Sequence, residues 1–137
     1  MGSIGLFSTI DMMFEAVLFA RRYYPALGYE GTVQVRYSQE SSVPRVLEMD
    51  SRGHWPLHSG YYNDLAIPVT AERTIRTDAD LGSLEEVTKD MMIEFFWYFH
   101  FDFDRENATS FLEYVKEKRV RIPKDLLSEL KNTGGHN

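Results

Sequence analysis

The residues best equipped for chemistry lie in the stretch Ser51–Ala66, which reads SRGHWPLHSGYYNDLA. His54 and His58 are four apart, the spacing that puts two imidazoles on one side of a helix as a metal pair needs. Gly53 and Pro56 argue against a helix there, and no glutamate follows His54, so the zinc-protease pattern is missing and no metal is expected. Trp55, Tyr61 and Tyr62 add amphipathic rings, which suit contact with a small ligand or a partner. The competing reading is a loop whose aromatics fold back on a sheet edge.

His100, Asp102 and Asp104 alternate, so in an extended segment they would share a face and could ligate a cation. The same residues also read as a helix end followed by aspartate capping, with a protonated His100 favoured by the helix dipole. That second reading is preferred. No G-x-S-x-G, G-x-x-x-x-G-K-[ST] or G-x-G-x-x-G pattern occurs, and nothing places two carboxylates together in an apolar pocket. No catalytic residue and no cofactor is therefore assigned.

Those segments need elements to hold them. A first helix is expected over Thr9–Tyr24, with Ser8 as cap and Asp11 three residues on. Ile10, Met13, Phe14, Val17, Arg21 and Tyr24 form one stripe, and Met12, Ala16, Phe19 and Tyr23 an adjoining one. So much apolar circumference predicts burial on most sides. Pro25 should end this helix and Gly28 supply the turn.

Three strands follow. Thr32–Ser38 alternates Val33, Val35 and Tyr37 against polar neighbours, Arg45–Met49 is a partner strand, and Ile67–Thr77 faces Ile67, Val69, Ala71 and Ile75 inward. An antiparallel meander is the simplest pairing. A second long helix begins after Gly82, with Ser83 and Glu86 as a capping box and Leu84, Val87, Met91, Phe95 and Tyr98 facing in. A third runs about Glu106–Lys118, and Pro123 opens a short last one.

The predicted fold class is α+β: a three-stranded antiparallel sheet packed by two long helices, with a short C-terminal helical appendage. Residues 1–104 form the core and 105–137 the appendage of the same domain. A chain of 137 residues, 43% hydrophobic and 26% charged, suits one such unit.

Phe95–Phe103 packs seven aromatics into nine residues, the strongest physical signal in the sequence. Either the first and third helices wrap this cluster, or part of it is an interface for self-association or a protein partner, with Phe96, Trp97, Phe99 and Phe101 as contact residues.

With no cysteine, disulfides, thiolate metal sites and cysteine nucleophiles are excluded. The N-terminus lacks the pattern of a signal peptide, and acidic residues interrupt every apolar stretch, so a cytoplasmic protein without membrane contact is expected. The formal net charge of −6 argues against wholesale nucleic-acid binding, although Glu113–Lys131 carries six basic against four acidic residues.

Lys118-Arg119-Val120-Arg121-Ile122-Pro123 resembles the strand-to-helix start of ribbon–helix–helix DNA-binding proteins, which implies base contacts by Arg119 and Arg121. The second helix of such a domain is missing, so nucleic acid is not expected as a partner through this chain alone. Phe19-Ala20-Arg21-Arg22-Tyr23-Tyr24, with Leu27-Gly28-Tyr29-x-Gly31, Glu72-Arg73-Thr74-Ile75 and the helix over 83–101, resembles the C-terminal region of bacterial proteins carrying a Schlafen-type AlbA DNA-binding domain. The resemblance implies an accessory domain of a larger regulator, with the AlbA-type domain itself outside this chain. The function expected is thus a non-catalytic accessory or protein-interaction domain, with ligand binding or hydrolysis at His54–Tyr62 as the alternative.

Overall fold

The computed structural model describes residues 2–39, 45–48, 62–63 and 69–118. In chain order the elements are β1 (Gly2–Gly5), α1 (Leu6–Ala26), β2 (Thr32–Gln39), β3 (Arg45–Glu48), β4 (Tyr62–Asn63), β5 (Val69–Arg76), α2 (Leu81–Trp97) and α3 (Arg105–Lys118). The protein is α+β, with three helices among the described residues.

The meander is replaced by a different pairing. β2 and β5 form a two-stranded antiparallel ladder in which Thr32 lies opposite Arg76 and Gln39 opposite Val69. β3 belongs to a second sheet of order β1-β3-β4, parallel to β1 and antiparallel to β4. Length and pattern explain the choice. β2 and β5 each offer eight residues with matching alternation, whereas β3 offers four. Pairing the two long strands aligns Val35 and Tyr37 with Val69, Ala71 and Ile75 on one buried face.

α1 starts at Leu6, earlier than Ser8 would dictate. Gly5 is extended and gives no side-chain cap, so Ser8 lies inside the first turns of the helix. The chain enters α1 directly from β1, and strand pairing overrides the local capping signal. Pro25 sits within the last turn, and Gly28 adopts φ 86° just beyond it. The cap of α2 also differs from expectation. Asp80, not Ser83, is the N-cap, and its carboxylate accepts from the Ser83 backbone N–H at 2.7 Å.

The ribbon lies on α1 and α2, with α1 against β2 and α2 against β5, and α3 packs on both helices. Phe14, Phe95, Phe96 and Phe99 have no accessible surface, and Leu6, Ile10, Met13, Leu84, Met91 and Met92 surround them. Phe95 meets Tyr37 of the ribbon edge-on at 5.4 Å, and Phe111 of α3 joins Phe7 and Phe103 at 5.8 and 5.6 Å. The apolar face of α3 (Ala108, Phe111, Leu112, Val115) is buried, so residues 105–118 belong to the main core.

The end of α2 is a Schellman turn. His100 takes φ 61° and donates its N–H to the Trp97 carbonyl, while the Phe101 N–H reaches the Phe96 carbonyl at 3.2 Å. The Phe96 and Phe101 rings, 6.4 Å apart, supply the accompanying apolar contact. Asp104 then caps α3 by accepting from the Asn107 N–H at 2.8 Å, as the capping reading of His100–Asp104 anticipates.

Candidate functional site

Helical geometry sets the exposed surface of α1. At 100° per residue, Met12, Phe19 and Tyr23 project within about 40° of one another, and they are 48%, 60% and 44% exposed. Half-buried Ala16 sits between them. This is the second stripe of the sequence pattern, expected inside and found largely outside. A two-stranded ribbon and two helices cover α1 over only about half its circumference.

The rings continue past the helix end. Phe19 stacks on Tyr23 at 5.1 Å, Tyr23 meets Tyr24 edge-on at 5.2 Å, and Tyr24 meets Tyr29 at 6.2 Å. Exposed Leu27 lies on the same turn. The Tyr29 hydroxyl donates to the Thr32 carbonyl, tying this row to the start of β2. At the other end of β2, the Tyr37 hydroxyl lies 4.0 Å from the Met12 sulfur. The apolar stripe of α1 therefore runs alongside β2 for the length of the strand.

The opposite surface of the ribbon is polar. Arg36 faces Glu72 across the ladder with a 2.6 Å contact, Gln34 donates to the same carboxylate, and the Ser38 and Thr70 hydroxyls share a hydrogen bond.

Where α1, β2 and β5 meet, Pro25, Gly28, Tyr29, Glu30, Gly31, Arg76, Thr77 and Asp78 line a cleft of about 370 Å³. Four of these residues pair within the cleft. Arg76 and Asp78 form a two-bonded pair at 2.8 and 3.1 Å, which raises the pKa of the guanidinium and lowers that of the carboxyl. Thr77 exchanges hydrogen bonds with the Gly31 backbone. A carboxylate held ionised by a guanidinium is a poor general acid at neutral pH. The cleft fits a structural joint better than a catalytic centre.

The residues singled out in the sequence fare differently. Phe96 and Phe99 are fully buried, and this corrects their assignment to an interface. α1 and α3 wrap that side of α2, so both rings belong to the core. Phe101 is half-buried against Phe103 and Phe111. Trp97 remains exposed, edge-on to Tyr98. His54, Trp55, His58, Tyr61, Arg119 and Arg121 lie outside the described residues. Tyr62 is placed by its backbone in β4, opposite Val46. Among the described residues, no group of three or more His, Asp or Glu is arranged to hold a metal ion.

Among the described residues, no helix is long and apolar enough to cross a membrane. No family model matches the chain, and neither a curated protein nor a solved structure matches it.

Proposed function

We infer that this chain is a protein-interaction domain whose contact surface is the outer face of α1 and the turn that follows it. The observation that supports this reading is the row Met12, Phe19, Tyr23, Tyr24, Leu27 and Tyr29, between 37% and 65% exposed, on one continuous side of a chain whose core is otherwise tightly enclosed. Single exposed apolar residues are ordinary, but a contiguous row of aromatics is the composition of an association surface. Rings that already stack on one another lose little conformational freedom when a partner arrives. The resemblance to the C-terminal region of Schlafen-type AlbA proteins supports the same accessory role.

A photo-crosslinking amino acid at position 19, with Glu106 on α3 as the control position, tests this in the expressing cell. The expected result is adducts at position 19 and none at 106. Absence of any adduct at 19 would sink the reading.

A further inference from the structure

We propose that the partner is a second copy of this chain, joined through the outer edge of β2 so that two ribbons become one four-stranded antiparallel sheet. This rests on the interaction reading above and names its occupant.

The two edges of the ribbon are treated differently. In the β2–β5 ladder Gly31 and Thr77 form a hydrogen-bonded pair, so odd-numbered residues of β2 bond inward, and Thr32, Gln34, Arg36 and Ser38 direct their backbone groups away from β5. On the far edge of β5, the Glu94 carboxylate from α2 meets the outward Glu72 N–H at 3.4 Å, and Arg73 pairs with the same carboxylate. That edge is guarded by charge. The β2 edge pairs with no strand among the described residues, and only its Thr32 carbonyl is occupied, by Tyr29. β2 is eight residues long, has no proline, and carries one charge, Arg36, already neutralised by Glu72. Among the described residues, no proline, covering strand or unpaired charge on this edge opposes strand addition.

The edge is also complementary to itself. Placed antiparallel about a two-fold axis at Val35, Thr32 falls opposite Ser38 of the second copy, Val33 opposite Tyr37 and Gln34 opposite Arg36. No like charges meet, and the outward backbone groups of both strands find partners. Axes at Val35 and Arg36 give the fullest overlap of an eight-residue strand, and of these two the Arg36 axis would set two guanidinium groups face to face, which favours Val35.

Beneath this edge lies the apolar stripe of α1. Met12 sits by Tyr37 and Tyr29 by Thr32, so Phe19, between them, comes toward the axis and meets the same stripe of the second copy. Strand edge and stripe together make a small interface, of the size class that associates weakly, so reversible dimerisation is expected.

The test is mass-resolved gel filtration over roughly 1–500 μM, with variants monitored by circular dichroism. Gln34→Pro removes an outward N–H and the side-chain bond to Glu72 but leaves the inward ladder intact, with Gln34→Ala as the control for the side chain, while Phe19→Ser acts on the helix alone. The wild type should pass from monomer to dimer with concentration, and Gln34→Pro and Phe19→Ser should each weaken dimerisation at least tenfold with the fold retained. The chain has no cysteine, so Val35→Cys gives a clean register probe. At a Cα separation of about 4.5 Å across the axis it should oxidise to a covalent dimer, whereas Val33→Cys should not. A wild type that stays monomeric throughout, or a dimer indifferent to Gln34→Pro, overturns the proposal. If position 19 then crosslinks only to other proteins, self-pairing fails while the interaction reading stands.

Discussion

Glu94 of α2 reaches Arg73 of β5 at 2.9 Å, and its other oxygen lies 3.4 Å from the backbone N–H of Glu72. One helix side chain thus occupies part of a strand edge that a further strand would otherwise use. Glu94→Ala should cost about 0.5–1 kcal/mol, since both partners are partly solvated. Faster amide exchange should be confined to β5, near Glu72. Urea denaturation with hydrogen exchange checks both, and Glu94→Gln should restore part of the protection.

The identity of the α2 cap is decided by two alanines. Asp80→Ala should lower Tm by roughly 3–5 °C. Ser83→Ala should cost less, because Ser83 is chiefly a backbone donor to that cap. The reverse order would restore Ser83 as the cap.

The same carboxylate sets an acid limb. Hydrogen bonds from Ser83 hold the pKa of Asp80 below its ordinary 3.8. The folded form thus binds its proton less readily than the unfolded chain. The contribution is complete above the unfolded value and declines as pH falls through the folded one. Between about pH 5 and pH 2, Asp80→Ala should therefore lose less stability than the wild type, as urea midpoints at stepped pH will show.

His100 adopts a left-handed conformation that a side chain disfavours. His100→Gly should stabilise the protein by about 1 kcal/mol, measured as a raised Tm with the native spectrum retained.

The aromatic cluster should divide by position. Phe96→Ala and Phe99→Ala each remove a fully enclosed ring and should cost about 3–5 kcal/mol. Trp97→Ser, at a side chain 62% exposed, should stay within about 0.5 kcal/mol. Thermal melts of the three variants separate core from surface.

Local patterns carried much of this fold. α3 begins within one residue of its expected start because Asp104, Asn107 and the spacing of Phe111, Leu112 and Val115 all act within a few turns. The inward set Val69, Ala71 and Ile75 follows from simple alternation. What failed was non-local. Nothing in Arg45–Glu48 tells it to pair with Gly2–Gly5 in place of the strand before it. Ser83–Glu86 is a good capping box, yet Asp80 lies three residues earlier and takes the role. The exposed side of α1 was hidden by its own hydrophobicity: Met12, Phe19 and Tyr23 look like core until one counts the elements left to cover them. Phe96 and Phe99 show the converse, since only the placement of α1 and α3 separates them from Trp97.

The order of the ribbon strands has a kinetic consequence. β2 follows α1 directly and β5 runs directly into α2, so each strand can settle on its own neighbouring helix early. Their ladder must instead join strands separated in sequence by residues 40–68, a span that includes β3 and β4, and the entropy of closing that separation makes ladder formation the rate-limiting event. Weakening the ladder should therefore slow folding more than it speeds unfolding.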